Sequence, residues 1–114
     1  RNNWYPQQTL DEDDRYTIKG VATLSANARR ALLEHVPIRI GRGDVPAIIR
    51  SCPYGPLLGV FALDLRTYRG PNSRNNQPSP SAETAFAGRA QIAWLKRALA
   101  ASTATWKVIA SDMP

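Results

Sequence analysis

The chain has 114 residues, 43% hydrophobic and 21% charged, a globular composition with room for one small domain. Twelve Arg and three Lys against nine acids give a formal charge of +6, yet the arginines are scattered rather than gathered into the stripe of a nucleic-acid interface, so no nucleic-acid partner is indicated. A single cysteine excludes an intrachain disulfide framework and a thiolate metal cluster, and no apolar run reaches the roughly 18 residues of a membrane span.

The N-terminal stretch Arg1-Asn2-Asn3-Trp4-Tyr5-Pro6 is polar, is no signal peptide and has no initiating Met, so it reads as the interior of a longer chain. Asp11-Glu12-Asp13-Asp14 lacks the alternating ligands and central Gly of a calcium loop and is expected to be a solvated turn favouring the N-terminus of the next helix. From about Thr17 to Val36, apolar residues at Ile18, Val21, Leu24, Ala28, Leu32 and Val36 follow three-and-four spacing, which predicts an amphipathic helix ended by Pro37. Arg29, Arg30 and Glu34 fall on its polar side. His35, the only histidine, has no acidic or second His partner at helical spacing and is not read as a metal ligand.

Ile38 to Arg50 is broken by Gly41, Gly43 and Pro46 and predicts short strands and turns. Gly41-Arg42-Gly43-Asp44 lacks the Lys-Ser/Thr ending of a phosphate loop and is expected to be a turn. Pro53-Tyr54-Gly55-Pro56 predicts a second turn, joining a strand around Ala47 to Arg50 to the next one as a hairpin. Cys52, followed by Pro53 and with no sequence-adjacent base, is expected to be a buried small hydrophobe rather than a catalytic thiol.

Leu58 to Leu63 is almost wholly apolar, as suits a strand covered on both faces, and Gly70-Pro71 turns the chain away. Asp64, Arg66, Tyr68 and Arg69 therefore lie at or just beyond the strand's C-terminal end, where open α/β sheets bind ligands. Pro71 to Ser81, with three Pro, three Asn and three Ser, is a loop of the length that is usually functional or disordered. Glu83 to Ala101 predicts a second amphipathic helix carrying Phe86, Ala90, Ile92, Trp94, Leu95, Ala98 and Leu99, and Trp106 to Ser111 a final strand.

A strand-helix-strand crossover makes the two strands parallel, so Asp64 and Arg66 share a rim with Ser111 and Asp112. There a carboxylate such as Asp112 can bind a metal and a guanidinium such as Arg66 can hold a phosphoryl oxygen. Asp64 admits two readings, a site group or a local partner of Arg66 that caps the loop.

Five blocks in order resemble the alkaline-phosphatase-D-like (PhoD-like) metallophosphatases: Asn2-Asn3-Trp4-Tyr5-Pro6, Arg50-Ser51-Cys52-Pro53-Tyr54-Gly55, Leu63 to Arg69, Gln91-Ile92-Ala93-Trp94-Leu95, and Ala104 to Pro114. The resemblance implies an α/β fold, part of a metallophosphoesterase-type (calcineurin-like) sandwich with a mixed sheet and flanking helices, residues 1–114 being an internal piece of the catalytic domain. It further implies hydrolysis of phosphate monoesters or diesters by metal-activated water, iron and calcium as the metals, and export by the twin-arginine route to the periplasm or beyond. Most metal ligands of that family lie in blocks outside this chain, so the chain alone is expected to be inactive. Asn2 and Asn3 should border the site, Arg66 should contact the phosphate, and Asp112 stands where broader metallophosphoesterases carry a metal-binding His. The alternative is a noncatalytic, anion-binding or structural piece.

Overall fold

A computed structural model describes residues 2–40, 47–74 and 76–113, which leaves the expected turn at Gly41 to Asp44 outside the described residues. Two helices, α1 (Val21–His35) and α2 (Arg89–Ala101), accompany three strands, β1 (Arg50–Tyr54), β2 (Leu58–Ala62) and β3 (Trp106–Ala110). The sheet order is β1-β2-β3. β1 pairs antiparallel with β2, from Arg50 opposite Ala62 to Tyr54 opposite Leu58, and β2 pairs parallel with β3, from Leu58 opposite Trp106 to Ala62 opposite Ala110. The mixed sheet, the hairpin and the parallel crossover expected from the sequence are all present.

Several boundaries depart from expectation, each for a local reason. α1 begins at Val21 rather than Thr17, because residues 17–20 are drawn alongside residues 8–10: Thr9 bridges Gly20, the Leu10 N–H donates to the Lys19 carbonyl at 2.9 Å, and the Val21 N–H donates to that of Gln8 at 3.1 Å. The acidic run consequently serves no helix terminus; no acid lies in the first turn of α1, and Asp13 instead chelates the Arg15 guanidinium with contacts of 2.8 Å from Nε and Nη2. Arg29 does not simply face solvent, since its Nη2 reaches Thr67 Oγ1 at 3.4 Å.

The strand before the hairpin is Arg50–Tyr54, not Ala47 to Arg50, and the turn is correspondingly shorter, with Gly55 at φ 63°. Pro53 lies inside β1 opposite Gly59, a position open to proline because β1 is an edge strand and one unpaired N–H is not missed there. Cys52 is exposed on this edge rather than buried. α2 begins at Arg89, not Glu83, because Gly88 adopts φ 72° and a Cβ there would stand 2.9 Å from Tyr68 Cβ.

Coverage of the sheet is one-sided. Gly59 and Phe61 are buried, whereas Leu58, Val60 and Ala62 on the other face of β2 are half-buried, and β3 is exposed along its whole length. The C-terminal end of α2 lies over the buried face, where Ser102 Oγ would be 3.4 Å from a Cβ on Gly59. The buried apolar residues are Leu10, Val21, Phe61 and Leu65, while Trp106, Val108 and Ile109 remain open. The accessible surface of 8625 Å² exceeds the roughly 6,200 Å² of a closed monomer of this mass, consistent with a sheet whose outer strands and second face have no partner among the described residues.

Candidate phosphate-binding site

The rim at the C-terminal ends of β2 and β3 is held by side chains that substitute for backbone partners. Just past β2, the Leu63 N–H still donates to the Ala110 carbonyl at 2.9 Å, and the next residues leave the sheet. Asp64, 5% exposed, accepts the N–H groups of Arg66 at 3.1 Å and Thr67 at 2.8 Å through Oδ1. This is an Asx-type cap, which uses a short acceptor side chain to satisfy the first donors of a turn. The cap that the sequence allows for Asp64 is thus present, and it engages Oδ1.

Asp112 Oδ1 accepts the Leu65 N–H at 3.0 Å, so the β3 end grips the same turn from its other side. Gln91, fully buried on the first turn of α2, completes the clamp. Its Oε1 accepts the Asp64 N–H at 2.8 Å, and its Nε2 donates to the carbonyls of Asp64 at 3.2 Å and Ala87 at 2.7 Å. Gln91 stands at i, i+3, i+4 and i+7 with Trp94, Leu95 and Ala98, so helical periodicity puts it on the apolar face of α2. A lone amide on that face, inside one of the five family-like blocks, was the signal for its role.

What this turn presents is a pair of guanidinium groups. Arg66 Nη1 donates to Asn3 Oδ1 at 3.0 Å, and Arg69 Nη1 donates to the same oxygen at 2.7 Å. Arg69 Nη2 donates to Asn72 Oδ1 at 2.6 Å, and Asn72 Nδ2 donates to the Asn3 carbonyl at 3.0 Å. Asn3 takes the left-handed conformation, φ 54°, which Asn tolerates better than most residues. The structure thus brings together Asn3 and Arg66, separately expected to border the site. Arg69 and Asn72 join them; Arg69 stood out only as a residue beyond the strand end, and Asn72 only as part of a loop.

Two guanidiniums converging on one neutral amide oxygen are an arrangement able to accept an anion, because an amide oxygen carries only a partial charge and offsets their repulsion less than a carboxylate or phosphoryl oxygen would. The metal pair implied by resemblance finds less support in these residues. Among those described, no three His, Cys, Asp or Glu side chains gather as a metal would require. Asp112 and Asp64 each commit one oxygen to backbone N–H groups, and His35 is exposed in the last turn of α1. These residues alone do not fit a two-metal centre.

The described helices include none long and apolar enough to cross a membrane. No solved structure matches the chain. Alkaline phosphatase D of Bacillus subtilis (strain 168) is 32% identical over 97 residues, an alignment covering 77% of this chain but 17% of that protein, so the chain spans a small part of its relative's length. The family model described as PhoD-like phosphatase matches residues 1–114, and the chain belongs to that family.

Proposed function

We propose that the whole protein containing these residues hydrolyses phosphate esters, with Arg66 and Arg69 as the contacts to the phosphoryl oxygens. The observation that carries this is the meeting of both guanidiniums on Asn3 Oδ1, on a turn clamped from β3 and α2. A phosphoryl oxygen is a stronger acceptor than the amide it would replace, and charge accumulates on the equatorial oxygens as the ester bond breaks. Fixed donors aimed at that charge lower the barrier without reorganising. Membership of the PhoD-like phosphatase family supports the reading.

The remaining chemistry belongs to the whole protein. Residues 1–114 are proposed as an internal piece of a calcineurin-like catalytic sandwich, a reading supported by the small mixed α/β sheet and its open second face. A metal centre, expected by resemblance to hold iron and calcium and to supply an activated water, would draw most ligands from outside the described residues, with Asp112 as the candidate contribution of this chain. Twin-arginine export to the periplasm or beyond is part of the same proposal.

The test is steady-state kinetics on the whole protein carrying Arg66→Lys, Arg66→Ala or Arg69→Ala. Lysine keeps the charge and loses the planar fork, and alanine loses both, so kcat/KM should fall in the order Arg, Lys, Ala. One charge-assisted contact that tightens in the transition state is worth roughly 3 kcal/mol, on the order of a hundredfold for alanine. Unchanged kcat/KM in folded Arg66→Ala and Arg69→Ala proteins would remove the pair from the site. Phosphate binding without turnover by the unsubstituted whole protein would instead support a noncatalytic anion-binding role.

A further inference from the structure

A recess of about 320 Å³ is shared by one member of the guanidinium pair, Arg69, and lined further by Pro71, Gln77, Pro80, Glu83 and Phe86 among others. Arg69 belongs to both places: Nη1 sits on Asn3 Oδ1 at 2.7 Å, while its Cζ lies 6.0 Å from the centroid of the Phe86 ring. An ester whose phosphoryl oxygens bind the guanidiniums therefore has its organic substituent within reach of this recess. Phe86 is 50% exposed, a large ring left open within a concave wall instead of packed into the core.

The walls are built into the fold. The Gly70 N–H donates to the Ala85 carbonyl at 2.7 Å, and a Cβ on Gly70 would stand 2.7 Å from the carbonyl oxygens of both Ala82 and Glu83, so the two sides of the recess touch at backbone distance. Thr84 Oγ1 both accepts the Ser81 N–H at 2.7 Å and donates to the Ser81 carbonyl at 3.0 Å, closing the turn that leads to Phe86. The volume is at the low end of small-molecule sites and suits a single ring rather than a long chain. Phe86 and the prolines offer flat apolar surface to such a ring.

We infer that this recess selects the alcohol part of the ester: it takes an uncharged aryl or heteroaryl substituent stacked on Phe86. This specificity role rests on the proposed phosphate-contact reading of Arg66 and Arg69. The experiment compares phenyl phosphate and methyl phosphate in the whole protein and in its Phe86→Ala, Phe86→Leu and Phe86→Tyr variants. Each variant is expressed relative to the unsubstituted protein on the same ester, which cancels leaving-group reactivity.

Phe86→Ala should raise KM for phenyl phosphate about fivefold to tenfold more than for methyl phosphate, the worth of one aromatic stacking contact, and Phe86→Tyr should restore it. Phe86→Leu keeps apolar bulk without the ring, should show the same selective loss on phenyl phosphate, and decides the matter if Phe86→Ala does not fold. Equal effects on phenyl and methyl esters in the folded variants would overturn the inference. Failure of the underlying phosphate reading looks different: Arg66→Ala would then leave the hydrolysis of both esters intact.

Discussion

Replacing Gln91 tests whether the buried amide holds the rim. The side chain has no exposed surface, and it satisfies one N–H and two carbonyls of the backbone at 2.8, 3.2 and 2.7 Å. Gln91→Leu keeps the bulk but leaves those groups unpaired where water has little access. At roughly 1–3 kcal/mol for each buried group without a partner, and with carbonyls the more forgiving, a loss of about 3–5 kcal/mol in unfolding free energy is expected. Gln91→Glu is the sharper perturbation. The introduced carboxylate keeps the acceptor for the Asp64 N–H but brings negative charge to the carbonyls of Asp64 and Ala87, which raises its folded pKa above the ordinary value of about 4.3. The folded state then binds more protons than the unfolded one between those two values, so stability should fall as pH rises through that window and level off above the folded pKa. Urea unfolding of the whole protein and both variants from pH 4 to pH 8 measures this. A pH-independent Gln91→Glu variant as stable as the original would refute the clamp.

Two other positions give simpler outcomes. Gly70→Ala places a methyl 2.7 Å from two backbone carbonyl oxygens, which cannot swing aside as a side chain end can, so a loss of about 2–4 kcal/mol and a disturbed recess are expected; a thermal midpoint within 1 °C of the original would count against the packing. Asp64→Asn keeps the Oδ1 acceptor for the Arg66 and Thr67 N–H groups and should retain most stability, whereas Asp64→Ala should lose about 1–2 kcal/mol, the worth of a cap; equal losses in chemical denaturation would mean that the charge, not the cap, matters.

The backbone of this arrangement was legible where long-range pattern decides it. An apolar hexad followed by charged residues located β2 and the turn just past its C-terminal end, and the helix between two strands required the parallel pairing that puts Asp112 against Leu65. Local breaks were harder to read. Pro53 looks like a turn residue until β1 is known to be an edge, and Gly88 inside an otherwise helical pattern gives no hint that Tyr68 presses against it. Side-chain roles were least legible of all, because they depend on contacts across 27 to 69 positions: Gln91 with Asp64, Asn3 with Arg66, Arg69 and Asn72. Asp64 illustrates the ambiguity, since a carboxylate at a strand end has the same sequence whether it binds a ligand or folds back onto its own turn.

Through Gln91, α2 behaves at residue 64 as a one-residue extra strand. An amide side chain offers a donor and an acceptor in the same arrangement as a peptide unit, and here it bonds both the N–H and the C=O of Asp64, which belong to successive peptide units, while a third contact anchors it to Ala87. The helix and the guanidinium-bearing turn are thereby geared together: an axial slip of α2 by a fraction of an ångström must either tilt the peptide units flanking Asp64, two residues before Arg66, or break their bonds. The Asp64 amide proton consequently reports on a helix to which it does not belong, exchanging with solvent only as fast as the first turn of α2 opens, even though residue 64 itself lies outside every regular element.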